Sequence, residues 1–157
     1  MSGLQVHRVS AMCVLLLGTL VAGRALAAEE PRAGECPQPR FTSKAPAEYL
    51  ARNNPVAATP ETLLAGERLF NSKAKSKSLP CAYCHGVKGD GKGNLATQYN
   101  PRPRNFACKE SITGIPDGQL FWIIQNGSPG AAMPPSKNLT DEQIWQLVHY
   151  LRSLARQ

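Results

Sequence analysis

Little in this chain supports a large core or a sheet. Only 6% of its 157 residues are aromatic, and no stretch alternates apolar and polar side chains for long enough to read as a strand. No repeat is visible, which removes solenoids and propellers. There is one long apolar run, near the N-terminus, so a polytopic membrane protein is excluded. A hydrophobic fraction of 42% is too high for a wholly disordered chain, and the length suits one compact domain. Thirteen Pro and thirteen Gly imply much loop around a small core. Such a core usually needs a staple, metal or cofactor, and a cofactor is expected to replace part of it.

The apolar run, Val9 to Ala22, follows His7 and Arg8 and is too short for a membrane span. Gly23-Arg24-Ala25-Leu26-Ala27 supplies the small residues of a signal-peptidase site. Residues 1–27 are therefore expected to be a cleaved signal peptide, placing the protein in the periplasm with no stable membrane insertion. Cys13 lacks the preceding small residue of a lipoprotein site. Cutting after Ala27 leaves one methionine (Met133), two histidines (His85 and His149) and four cysteines (Cys36, Cys81, Cys84 and Cys108).

Residues 28–59 are punctuated by Pro31, Pro37, Pro39, Pro46 and Pro55, with a short helical hint at Ala47 to Arg52, and read as an extension or strap. A domain at 60–157 follows. Thr59 can cap a helix from Pro60 to Asn71 that carries Leu63, Gly66 and Phe70 on one face. Lys73 to Pro103 has no helical or strand period beyond a short turn at Cys81 to His85. Asp117 can cap a second helix that stops at Asn126-Gly127, where a left-handed C-terminal residue is expected. Thr140 and Gln143 form a capping box for the last helix, whose apolar stripe is Ile144, Leu147, Val148, Leu151 and Leu154. Trp145, His149 and Arg152 flank that stripe, which makes His149 a surface or edge histidine.

Cys81-Ala82-Tyr83-Cys84-His85 is a C-x-x-C-H motif in an exported chain, the arrangement that attaches haem c. On one helical turn two thiols can add to the two porphyrin vinyl groups, and the next imidazole comes under the iron. Zinc and dithiol chemistry fit less well. A structural zinc site needs a second paired motif, and a thioredoxin needs a βαβ pattern. The Gly86 to Gly93 stretch follows the motif without a leading strand or a closing Lys-Ser/Thr, so nucleotide binding is discarded. Its glycines let the chain turn tightly beside the porphyrin edge.

With these features the chain resembles the class I c-type cytochromes over about residues 60 to 155. The likeness rests on Gly66 and Phe70 before the motif, the loop Gly130-Ala131-Ala132-Met133-Pro134-Pro135, and a last helix with Tyr150 and Leu151. The resemblance implies a small all-α fold of three to four helices around a covalently bound haem. It also implies that Gly66 and Phe70 meet Leu147 and Tyr150 where the first and last helices cross. It further implies that His85 donates its second ring N–H to a carbonyl of Asn100-Pro101-Arg102-Pro103.

Met133 is the only thioether outside the signal, and it stands in a Gly/Pro loop. It is the expected sixth ligand, with His149 as competitor and core filling as the alternative role. Arg102 and Arg104 suit either haem propionates or open surface, and Trp122 either a propionate or the core. Cys36 and Cys108 make an even pair in an oxidising compartment and are expected to form a disulfide tying the extension to the loop before the second helix. Arg68, Lys73, Lys75, Lys77, Lys88 and Lys92 surround the motif against Asp90 alone, which suits a redox protein partner with an acidic docking surface rather than nucleic acid. Three functions follow: a diffusible one-electron carrier; the haem subunit of a larger oxidoreductase, with Ala28 to Thr59 serving as a docking strap; or, if Met133 is absent or displaced, a haem enzyme or gas sensor.

Overall fold

The computed structural model describes residues 33–71 and 79–155. Six α-helices occur there: α1 (Ala47–Leu50), α2 (Pro60–Asn71), α3 (Cys81–His85), α4 (Lys109–Ile112), α5 (Asp117–Asn126) and α6 (Asp141–Leu154), with a 3-10 turn at Ala96–Gln98. No strand is present among the described residues. The proposed signal, residues 1–27, and Lys73, Lys75 and Lys77 lie outside them.

The two long helices form as their end signals dictate. Thr59 Oγ1 accepts from the Thr62 N–H at 3.2 Å and caps α2. Thr140 and Gln143 exchange both capping-box hydrogen bonds at the start of α6, at 3.3 and 2.9 Å. Ile144, Leu147, Val148, Leu151 and Leu154 are all buried. α2 and α6 cross at Gly66, where a methyl group would stand 2.8 Å from Tyr150 Cβ and 2.9 Å from the Gln146 carbonyl carbon. Phe70 lies beside this crossing with its ring 5.4 Å from that of Tyr150. The glycine allows backbones to approach as the resemblance implies.

The α5 ends differ from expectation. Asp117 does not cap it; the residue before the helix is Pro116, with no side-chain cap. The Asp117 carboxylate instead accepts from Arg152 Nε at 2.9 Å and Nη2 at 2.7 Å. A cap competes poorly with a charged fork that also satisfies the carbonyls of Ile112 and Ile115. At the other end Gly127 has φ 76° and ψ −176°, which is not the left-handed helical cap but a region open mainly to glycine.

The flank of α6 is also less exposed than its sequence implies. Trp145 is only 6% exposed, its ring 4.3 Å from that of Phe121 on α5, which in turn stacks on Tyr49 of α1 at 6.2 Å. His149 Nε2 donates to the Val56 carbonyl at 2.7 Å. The flank is covered because residues 33–59 run over it as a strap. Buried Gln119 holds that strap by accepting from Ala45 N–H at 2.8 Å and donating to the Ser43 carbonyl at 3.1 Å. Asn54 donates to the Trp145 carbonyl at 2.9 Å. Cys36 and Cys108 are joined by a disulfide, with their Cα atoms 5.6 Å apart, as expected.

Candidate haem-attachment site

Cys81, Cys84 and His85 share the single turn α3, which starts after Pro80 and ends at Gly86, where φ is 77°. A side chain at Gly86 would be strained, and a Cβ at Gly93 would meet the Cys84 carbonyl carbon at 2.6 Å. The glycines after the motif thus fold its following loop back against the turn. Gly91 N–H donates to the His85 carbonyl at 2.8 Å, and Phe106 N–H to the Gly89 carbonyl at 2.6 Å.

The Cys36–Cys108 pairing leaves both motif sulfurs as free thiols. Burial raises the pKa of Cys81, with the nearby Cys84 adding to the rise. Burial also raises that of Cys84, against a Tyr99 hydrogen bond that lowers it. A redox-active dithiol or a metal thiolate is favoured by the opposite shift. Among the described residues, the one close group of three potential metal-ligating atoms is Cys36, Cys108 and Glu110, and its sulfurs are already bonded to each other.

His85 Nδ1 lies 2.9 Å from the Arg104 carbonyl oxygen. A carbonyl only accepts, so Nδ1 carries the proton and Nε2 keeps its lone pair for a metal. Burial lowers the imidazole pKa, and the Arg104 charge lowers it further, against the carbonyl hydrogen bond. The ring stays neutral and is stacked on Phe106 at 4.7 Å and 29°, with Phe70 at 6.4 Å. The acceptor is one residue beyond the Asn100 to Pro103 segment that the resemblance implied, because Phe106 and Asn105 are drawn inward and carry the Arg104 carbonyl with them.

Arg102 and Arg104 are both engaged by protein carbonyls. Arg102 Nη1 donates to Ala96 at 3.2 Å; Arg104 donates through Nη1 to Gln38 at 3.0 Å and through Nη2 to Pro39 at 3.3 Å. Trp122 is half-buried on α5. Met133 is half-buried and packs against the core cluster. Its carbonyl accepts from Ser128 N–H at 3.0 Å, and Ser136 N–H donates to Ile124 at 3.0 Å, so both ends of its loop are tied to the end of α5. A Cβ on Gly127 would meet the Met133 carbonyl oxygen at 2.7 Å and Pro135 N at 2.9 Å. Gly127 therefore matters more to this loop than Gly130, whose absent Cβ would meet nothing within 4 Å. Sequence reasoning missed that role, and it also missed Gln38 and Asn105, whose polar side chains in a Pro-rich stretch carry no periodic signal.

Two free, protonated thiols on one turn, followed by a neutral imidazole with a fixed tautomer, fit a porphyrin attached by thioethers and ligated through nitrogen. The class of protein is thus a small all-helical haem protein. The family model for Cytochrome c matches residues 63–155, and the chain belongs to that family, whose domain carries covalently attached haem c and transfers electrons through it. No curated protein matches the chain. Among solved structures, the chain is similar to a chain of the Kuenenia stuttgartiensis reducing HAO-like protein complex Kustc0457/Kustc0458, at 28% identity and a TM-score of 0.55. That likeness covers 67% of this chain and 48% of the other, about half of its length.

Proposed function

We propose that this protein is an exported one-electron carrier of the periplasm, working after removal of residues 1–27, and that it is not an enzyme. Cys81 and Cys84 would anchor the haem, and His85 and Met133 would be its protein ligands. When bound, the haem would supply a one-electron redox centre. His85 offers Nε2 to it, while the Arg104 carbonyl holds Nδ1–H and fixes the ring plane. Phe106 and Phe70 pack on the imidazole and exclude water from its flank. Met133 is the only thioether after residue 27, and its loop is tied down at both ends. An imidazole and a thioether together would raise the potential of the bound group and would leave substrate no place at the metal.

The observation that carries this reading is the neutral His85 locked onto the Arg104 carbonyl beside two free thiols of one turn. Exposed Lys88 and Lys92 directly follow the motif, and the formal net charge of +7 falls only to +5 when Arg8 and Arg24 leave with residues 1–27, which supports association with an acidic redox protein. A haem subunit of a larger oxidoreductase is the second reading, favoured by the complex to which the similar solved chain belongs. In that case the strap is not free to serve as a docking arm, since Gln119, Asn105 and Arg104 already hold it. Exposure of the reduced protein to carbon monoxide tests the carrier reading. An unchanged spectrum is expected, and a bound carbonyl complex at neutral pH contradicts it. Size-exclusion of the native protein separates a free carrier, eluting alone, from a complex subunit.

A further inference from the structure

We propose that Gln38 is a positioning residue for His85, holding the carbonyl that orients the imidazole and thereby setting the reduction potential of the haem; this rests on His85 being an iron ligand. The Gln38 side chain grips the backbone on both sides of Arg104. Its Nε2 donates to the Pro103 carbonyl at 3.1 Å, and its Oε1 accepts from the Asn105 N–H at 2.6 Å. One buried primary amide therefore clamps residues 103 and 105, and the carbonyl between them is the one that receives His85 Nδ1–H at 2.9 Å.

The clamp is itself fixed. Gln38 N–H donates to Ser111 Oγ at 3.0 Å, and two residues earlier Cys36 is bonded to Cys108. Arg104 closes the arrangement from the other side by donating to the carbonyls of Gln38 and Pro39. Asn105 donates to the Gly34 carbonyl at 3.0 Å and accepts from Cys108 N–H at 3.1 Å. A chain of named hydrogen bonds thus runs from the disulfide through the strap to the imidazole. A carbonyl held against Nδ1–H makes Nε2 a stronger donor and favours ferric iron. Releasing it weakens that donation and favours ferrous iron, so the potential rises.

The test compares the holoprotein with Gln38→Met, which keeps the length and apolar packing but forms neither hydrogen bond. The midpoint potential and the exchange rate of the His85 Nδ1–H in the reduced protein are measured, the second by proton NMR. We expect the reduction equilibrium to move toward the ferrous state by about fivefold, the worth of one net hydrogen bond, or about 40 mV at 59 mV per tenfold. The Nδ1–H should exchange faster by a similar factor. Asn54→Ala, which removes a different strap hydrogen bond, should leave both values unchanged. Gln38→Asn keeps the amide but falls one methylene short, so it shifts both in the same direction and serves as the test if the methionine variant does not accumulate. Wild-type values in the Gln38 variants, or an equal shift in Asn54→Ala, overturn the proposal. If the wild-type His85 ring protons show no haem-induced shift, the ligand assignment fails instead.

Discussion

Removing the disulfide is the strongest perturbation of the strap that leaves the attachment motif intact. Cys36 and Cys108 are 72 positions apart, so the bond closes a long loop in the unfolded chain. In the chain-entropy description a loop of that size is worth about 4 kcal/mol at room temperature. The native state does not relax to recover this, because Gln38, Gln119 and Asn54 still hold the strap in register on the domain. The double variant Cys36→Ser, Cys108→Ser should therefore fold to the same structure and lose most of that amount. For a domain of this size the loss corresponds to a fall in Tm of roughly 15 °C. Guanidinium unfolding of the haem-loaded protein, followed both by circular dichroism and by haem absorbance, measures it. Coincident transitions shifted to lower denaturant are the expected result. A loss below about 1 kcal/mol would refute the reasoning, since it would mean that the strap detaches separately and is not part of the cooperative unit.

Gly66→Ala places a methyl group against Tyr150 Cβ and the Gln146 backbone, which should cost about 1–3 kcal/mol in the same unfolding assay. Arg152→Ala leaves the Ile115 carbonyl and the Asp117 carboxylate without the Arg152 donors and the Ile112 carbonyl with only the Ile115 N–H, for a loss of about 2–3 kcal/mol, whereas Arg152→Lys recovers only part of it because the fork is gone. Met133→Ala should lower the midpoint potential and admit exogenous imidazole or cyanide to the iron, read as a change in the visible spectrum on titration. Raising the ionic strength should slow electron exchange with an acidic redox protein, measured by stopped-flow; a salt-independent rate argues against a basic docking face.

Much of the site is legible in the sequence because its chemistry is local. Cys81, Cys84 and His85 lie within five residues, and one helical turn suffices to set them side by side. The caps of α2 and α6 are local as well, and both form as Thr59, Thr140 and Gln143 indicate. The Gly66 crossing is long-range, and only the resemblance to a family implied it. What the sequence hides is contact between distant polar groups. Asp117 has the right chemistry for a cap, but Arg152, 35 positions away, takes its carboxylate. Trp145 lies beside the apolar stripe rather than in it, and only the arrival of Phe121 and the strap buries it. The short α4 has no periodic pattern, since one turn after Cys108 is too brief to show one. Gln38 and Arg104 are separated by 66 positions, and nothing in a Pro-rich extension marks a glutamine as the clamp of a histidine's acceptor.

The central claim, a haem held by Cys81, Cys84, His85 and Met133, is tested most directly by optical spectra of the purified, exported protein in both oxidation states, with a pyridine haemochrome assay of the attachment. The account predicts the haemochrome of a porphyrin joined through two thioethers, together with the weak far-red band of sulfur bound to ferric iron. A doubly attached haem without that band would contradict the role of Met133, and the absence of any covalent haem would contradict the account at its root.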